Sequence, residues 1–219
     1  MKYFKLFEQF VEDADTVVNE ATKWNKQEFE DLNKFAKKLS KVDPKDFDPE
    51  TYRGVKSAVM NIVSITNDIA NFGDTAWELK NKDNCKPIKW SGTAWVEATP
   101  EEADKGFAVA EAYLKECEIV FQEGIKAIQL IDKGQGEKLA SILPKLEADT
   151  DKLFKSNRKM QKSRQIGAWG PKPDFYKESA NARRELDAKV HEQYASATSN
   201  KEAQDELKAI SQKARSNME

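Results

Sequence analysis

Apolar residues recur every three or four positions along most of this chain, which is the spacing that one face of an α-helix requires. In a first helix, predicted over residues 2–41, they are Phe7, Phe10, Ala14, Val17, Ala21, Trp24, Phe29, Leu32, Ala36 and Leu39. In a second helix, they are Val55, Ala58, Ile62, Ile65, Ile69, Phe72, Ala76 and Leu79. Such narrow faces are typical of coiled-coil-like contacts between long helices.

The segment between these helices, residues 43–55, contains two prolines and is called the corner below. Proline cannot continue a helix and disfavours helix in the residue before it, so the first helix is predicted to end here. Asp48 is placed to cap the second helix, with Pro49 as its first residue. Because the connection is short, the two helices are predicted to form an antiparallel hairpin.

The helical pattern stops between residues 81 and 99, where two apolar stretches flank Ser91 and Gly92. These stretches fit either a small β-hairpin or an aromatic loop. A third helix is predicted to begin at Thr99, which forms a capping box with Glu102, and to end at Gly134. In the fourth helix, Pro144 either introduces a kink or begins the main part.

Residues 166–175 contain too many glycines and prolines for a regular element, and two alanine-rich helices are predicted after them. The chain is therefore predicted to be all-α, with elongated antiparallel hairpins, coiled-coil-like contacts and extra C-terminal helices. The predicted units are a first hairpin (1–80), a Trp-containing loop or small hairpin (81–99), a second hairpin (100–165), and an irregular arm with a C-terminal helical extension (166–219).

Composition agrees with long, thin helical contacts, since only 39% of the 219 residues are hydrophobic and 34% are charged. The net charge of −2 gives no general attraction to nucleic acid, whose binding depends on neutralising phosphates. The sequence has no run of 18 apolar residues, so no membrane span is predicted. Its first residues resemble neither a secretory signal nor an arginine-rich presequence, which leaves the compartment open.

No residue pattern predicts catalysis, a cofactor site or a metal site. His191, the only histidine, is expected on a solvated helix surface, because no nucleophile motif accompanies it. Cys117 is expected in the core, and Cys85 in a loop. The basic run in residues 152–164 is interpreted either as a solvated helix face or as a contact for an acidic protein or anionic lipid.

The five tryptophans divide into two groups. Trp24 and Trp77 lie on or beside the apolar faces of helices and are predicted to be buried. Trp90, Trp95 and Trp169 lie in loops, where local packing and a role as interface anchors are equally compatible with the sequence.

Four short segments resemble, in the same order, segments of subunit d of the peripheral stalk of the mitochondrial F-type ATP synthase. They are Phe47-Asp48-Pro49-Glu50-Thr51-Tyr52-Arg53-Gly54-Val55, Lys86-Pro87-Ile88-Lys89, residues 139–148 around Pro144, and Trp169-Gly170-Pro171-Lys172-Pro173-Asp174-Phe175. The similarity covers about residues 20–176. The chain departs from the family in lacking an Ile-Asp-Trp opening, in having Pro49 within the corner, and in its extension after Phe175.

The resemblance implies a non-catalytic structural subunit, without cofactors, on the matrix side of the mitochondrial inner membrane. Its implied partners are other stalk subunits, especially the long helix of subunit b. The candidate structural and interface residues are Phe47, Tyr52, Arg53, Trp90, Trp95, Pro144, Trp169 and Phe175, together with an exposed apolar flank of the second helix and the C-terminal helices. The alternative is a stand-alone, cytoplasmic helical bundle that binds proteins, a lipid or another apolar ligand.

Overall fold

The computed structural model describes residues 26–67, 69–166 and 170–218, which are predominantly helical. The helices are α1 (26–39 within the described residues), α2 (Pro49–Thr66), α3 (Ile69–Lys80), α4 (Pro100–Asp132), α5 (Gly136–Ile166), α6 (Tyr176–Ser196) and α7 (Lys201–Ser216). Strands β1 (Ile88–Trp90) and β2 (Trp95–Glu97) form one small antiparallel sheet. The predicted all-α class is confirmed. The predictions for Trp24 and Trp169 fall outside the described residues.

Helices α1 and α2 run antiparallel on either side of the corner. Near the corner, Lys38 Nζ donates to Glu50 Oε1 at 2.8 Å, and at the far end Ser64 Oγ donates to Glu28 Oε1 at 3.5 Å. The predicted cap is confirmed, because Asp48 Oδ1 accepts a 2.6 Å hydrogen bond from the backbone N–H of Thr51. The N-terminus of α2 is thus fixed by a local interaction that the corner itself supplies.

The prediction of one continuous helix from Pro49 through Leu79 is wrong. Helix α2 ends at Thr66, and Asn67 has extended backbone angles (φ −111°, ψ 95°) before α3 begins at Ile69. The Thr66 hydroxyl donates to the Ile62 carbonyl at 2.6 Å, and threonine and asparagine side chains compete with helical backbone hydrogen bonds. Apolar residues keep their helical spacing across this break, which is why periodicity did not reveal it.

Helices α4 and α5 form a second antiparallel pair, each about 50 Å long at 1.5 Å per residue. The predicted capping box at Thr99 and Glu102 is confirmed. Lys152 Nζ lies 2.7 Å from Glu116 Oε1 across the pair. Pro144 lies inside α5, so the alternative that it begins the helix is wrong.

The turn between α4 and α5 approaches the end of α1 and the corner very closely. A Cβ atom on Gly136 would lie 2.2 Å from the Ala36 carbonyl oxygen and 2.4 Å from the Ser40 nitrogen. Gly134 has φ +65°, and a Cβ there would lie 2.4 Å from Pro44 Cγ. We call this contact the glycine junction, because only residues without a Cβ fit it.

The C-terminal helices α6 and α7 pack on the bundle, with α6 against α3 and α7 against α2. Arg215 joins them, since its Nε lies 3.1 Å from Glu185 Oε2 and its Nη2 lies 3.1 Å from Glu192 Oε2. The end of α4 is tied to the loop between them, where Asp132 Oδ1 accepts a 2.8 Å hydrogen bond from the Ser199 hydroxyl.

The second helix does not keep the exposed apolar flank that the sequence predicted. Val59 and Val63, the residues that widen its apolar face, are both buried. Helix α2 packs against α4 and α7 in addition to α1, so this flank is covered within the chain itself. The prediction of an exposed interface is therefore wrong for Val59 and Val63, whereas the side chain of Ala70, the third residue of this flank, lies outside those that the structure describes.

Candidate functional site

The tryptophan segment forms an exposed β-hairpin, which confirms one of the two predicted alternatives. Trp90 pairs with Trp95 across the strands, and their ring centroids lie 5.6 Å apart in an edge-to-face arrangement. Their residues are 48% and 51% exposed, and Val96 beside them is also exposed. We call Trp90, Trp95 and Val96 the aromatic patch.

The hairpin is anchored to the first turn of α4. Lys89 Nζ lies 2.5 Å from Glu102 Oε1, while Glu102 Oε2 accepts a 2.9 Å hydrogen bond from the Thr99 backbone N–H. The hydrogen bond from Lys89, followed by that from Thr99, lowers the pKa of Glu102 from 4.5 to about 2. An isolated two-stranded hairpin is only marginally stable, so this anchor and the packing of β1 on α5 hold it in place.

The segment before the hairpin pairs with the arm that precedes α6. The Lys86 N–H donates to the Gly170 carbonyl at 2.8 Å, and the Lys172 N–H donates to the Asn84 carbonyl at 2.9 Å. Cys85 is buried beneath this pairing, where its thiol faces the Asn81 carbonyl at 3.5 Å. The second and fourth of the segments that resemble subunit d are therefore in direct contact, through Lys86 and Gly170.

The basic run of α5 lies mainly on a solvent-facing side of the helix. Lys155, Lys159 and Lys162 are exposed, whereas Leu153 and Met160 on the opposite side are buried. The side chain of Arg164 is outside the described residues. Helix α4 starts three residues after β2 and runs antiparallel to α5, so the basic C-terminal half of α5 lies at the same end as the aromatic patch.

His191 is not on the surface, so its predicted placement is wrong. Only 7% of the residue is exposed, because α6 packs against α3 at the break after Thr66. Its Nδ1 lies 3.0 Å from both the backbone oxygen and Oδ1 of Asp187, and its Nε2 lies 3.5 Å from Asn67 Nδ2. Nδ1 therefore donates to Asp187, and the opposite side of the ring faces the Asn67 amide.

Next to His191, an apolar cleft of about 570 Å³ opens between α3, α4 and α6. Its apolar walls include Phe72, Leu79, Leu114, Phe121, Leu186 and Val190. The polar residues at its rim are Glu111, Lys115, Glu118, Gln122 and Gln193, which are all exposed. Leu114 and Phe121 are seven residues apart, which places them on one face of α4, but this spacing does not indicate that α6 lies across from them.

The remaining candidate residues occupy several different surroundings. Phe47 is half-buried against the core, Phe175 packs on Trp77 with ring centroids 6.4 Å apart, and Trp77 is buried as predicted. Arg53 and Pro144 are exposed. The structure does not bring these residues together in one site.

Tyr52 connects distant parts of the chain. Its hydroxyl accepts a 2.8 Å hydrogen bond from the Lys201 N–H, and its backbone oxygen accepts one of 3.1 Å from Asn200 Nδ2. These two hydrogen bonds join α2 to the beginning of α7, a connection that the sequence did not indicate.

Within the described ranges, the structure contains no group of three or more His, Cys, Asp or Glu side chains arranged to hold a metal ion. In the same part of the chain, no helix has the length and apolar content needed to cross a membrane. Comparisons with protein-family models, curated proteins and solved structures found no match for this chain. The described residues thus present three candidate surfaces: an exposed aromatic patch, a basic helix face and an apolar cleft.

Proposed function

We propose that this protein is a non-catalytic structural subunit of the peripheral stalk of mitochondrial ATP synthase, on the matrix side of the inner membrane. The observation that carries the proposal is the order of the four segments that resemble subunit d. The second and fourth of these are joined by the bond between Lys86 and Gly170, and Lys172 of the fourth also bonds to Asn84, two residues before the second.

A subunit that resists rotation of a catalytic head has to transmit force without bending. Helices α4 and α5 suit this task, because they are each about 50 Å long and bound side by side. The turn that joins them is locked against α1 through Gly136. These features support a rigid strut.

The aromatic patch is the surface that we assign to the partner, which is a long helix like that of subunit b. Tryptophan is enriched among the residues that dominate binding energy, and Trp90 and Trp95 are both about half exposed on an anchored hairpin. Closing a helix over them removes apolar area from water, which is the main favourable term in protein association.

The test is purification of the tagged protein from its own cells after mild detergent solubilisation, followed by identification of co-eluting proteins. We expect the subunits of a membrane-bound F-type ATPase to co-elute. Recovery of the protein solely as a free monomer would overturn the proposal.

A pair of variants tests the partner surface. Replacing Trp90 and Trp95 together by alanine is expected to reduce co-elution at least tenfold. Ile119→Ala, which changes an exposed apolar residue outside the aromatic patch, is expected to leave the amount of co-eluting protein unchanged. If the double variant co-elutes as well as the unmodified protein, the aromatic patch is not the anchor. Circular dichroism shows whether each variant retains its helical fold.

A further inference from the structure

The apolar cleft has the size and the walls that small-molecule sites have. Its volume of about 570 Å³ falls in the range of roughly 300–1,000 Å³ that small-molecule sites occupy. Phe72 and Phe121 contribute aromatic walls, while Leu79, Leu114 and Leu186 contribute aliphatic ones. These five side chains are only half-buried, so the helices leave apolar surface there that a ligand would cover.

The shape of the cleft favours a linear ligand. Its lining on α4 extends from Glu111 to Gln122, which corresponds to about 16 Å along the helix axis. On α3 the lining runs from Phe72 to Leu79, so the cleft follows the helices for several turns. A flexible alkyl chain fits such a channel better than a compact ring system.

The inner polar groups of the cleft already have partners. The Thr66 hydroxyl donates to the Ile62 carbonyl at 2.6 Å, and its oxygen lies 2.8 Å from the Tyr194 hydroxyl. Asn67 Nδ2 faces His191 Nε2 at 3.5 Å. A ligand that brought its own polar group into the interior would leave that group unpaired, which is unfavourable.

The rim, by contrast, is polar and balanced in charge. Glu111 pairs with Lys82 at 3.5 Å, and Lys115 lies between Glu111 and Glu118 on the same helix face. The amides of Gln122 and Gln193 complete the rim. A head group that stays at the mouth therefore finds hydrogen-bonding groups without a strong preference for either charge.

We propose that the cleft binds the alkyl chain of a single-chain lipid, with its polar head at the rim. This inference does not depend on the proposed stalk function. The chain could come from a neutral ester or from a free fatty acid, and the balanced rim predicts that the two bind with affinities within about threefold of each other.

The test is isothermal titration of the full-length protein with monododecanoylglycerol and, separately, with dodecanoate, both below their micellar concentrations. 1-Adamantanol serves as a compact, uncharged control. We expect one chain to bind per protein molecule for both lipids, and at least tenfold weaker binding of 1-adamantanol. Failure of both lipids to bind, or equal binding of 1-adamantanol, would overturn the proposal.

Two variants block the cleft in different ways. Leu114→Trp fills its interior, and Gln122→Trp covers its mouth from an exposed position where folding is not at risk. Each is expected to weaken lipid binding at least tenfold. Ile119→Trp adds the same ring to an exposed position of α4 outside the cleft and is expected to change binding less than twofold. Unchanged binding by both blocking variants would contradict the assignment.

The two cysteines give an independent readout in the unmodified protein. Cys117 lines the cleft, whereas Cys85 is buried beneath the pairing of residues 84–86 with the arm. We expect bound lipid to slow maleimide labelling of Cys117 at least fivefold and to leave the labelling rate of Cys85 unchanged. Equal slowing at both residues would indicate general stabilisation and would contradict binding in the cleft.

Discussion

The glycine junction lies just beyond the C-terminal end of α4 and the apolar cleft lies along its middle, yet the two differ completely in the space that they leave. At the junction, helix α5 begins so close to α1 that a single Cβ on Gly136 would overlap backbone atoms of Ala36 and Ser40. Along residues 111–122 of α4, the neighbouring helices instead enclose about 570 Å³. Tight packing therefore begins immediately after the end of α4, whereas an open site lies along its middle.

This difference has a physical origin in what lies opposite α4. At the junction the chain turns within a few residues, and Gly134 with φ +65° allows backbone to meet backbone. At the cleft, the break after Thr66 separates α2 from α3, and α6 spans the opening with Leu186 and Val190. The junction is thus a contact between backbone atoms, whereas the cleft is a space lined by side chains.

The largest expected effect is at the junction. Gly136→Ala is expected to lower the free energy of unfolding by about 3 kcal/mol, because the added methyl group meets backbone that cannot move aside. Urea denaturation measures the change. Gly170→Ala is the control, since among the described residues, its chain neighbours apart, no atom lies within 4 Å of its Cβ position, and a change below about 0.5 kcal/mol is expected. If Gly136→Ala and Gly170→Ala lowered the free energy of unfolding equally, the junction would not be packed more tightly than the surroundings of Gly170.

A smaller effect is expected where α4 meets the end of α2. A Cβ on Gly124 would lie 2.7 Å from Thr66 Oγ1, so Gly124→Ala is expected to cost about 2 kcal/mol of unfolding free energy. Since the obstacle is a side chain, the same substitution in a Thr66→Ala background is expected to cost less than about 0.5 kcal/mol. A double-mutant cycle in urea tests this, and additive costs would show that the Thr66 side chain is not the obstacle.

In the cleft, added volume is expected to be tolerated. Leu114→Phe is expected to change the free energy of unfolding by less than about 0.5 kcal/mol, because the ring has open apolar space to enter. Val120→Phe, at a fully buried position of the same helix, is expected to cost about 2 kcal/mol through overpacking. Thermal and urea denaturation compare the two, and a similar cost for both would mean that the cleft is closed in solution.

The smallest expected effect concerns the anchor of the hairpin. Lys89 and the Thr99 N–H hold the pKa of Glu102 near 2, below its ordinary value of 4.5. A lowered carboxyl pKa contributes stability above the ordinary pKa and loses it as the pH falls through the folded value. The Thr99 amide resonance in NMR spectra of the folded protein is therefore expected to titrate with a midpoint near pH 2 rather than near 4.5.

Glu102→Gln provides the control for this titration, because it removes the carboxyl group and leaves the backbone of Thr99 in place. The acid shift of the Thr99 resonance is expected to disappear in this variant. A shift of the same size in both proteins would assign the effect to another group.

The local features of the fold were predictable from sequence, whereas contacts between distant segments were not. Asp48 and Thr99 cap their helices by bonding to residues three positions away, so a short motif suffices to predict them. The burial of His191 depends on α6 lying across the break at Asn67, more than a hundred residues earlier. No spacing within α6 carries that information.

The same limit applies to the candidate sites. The tryptophans of the hairpin were identifiable as exposed candidates, because Ser91 and Gly92 signal a turn between two short apolar stretches. The cleft was not, because Leu114 and Leu186 belong to helices whose packing the periodic pattern leaves undetermined. Helix periodicity shows which face is apolar, but it does not show what covers that face.

The bond between Tyr52 and Lys201 joins residues 149 positions apart in the chain. Contacts of such high sequence separation are intrinsically slow to form, because closing the long loop between them costs entropy. During synthesis, α2 leaves the ribosome long before α7 is made, so the surface of α2 that contacts α7 stays uncovered until then. The nascent protein therefore exposes this part of α2 to chaperones and proteases until residue 201 has emerged, and a truncated chain keeps it exposed.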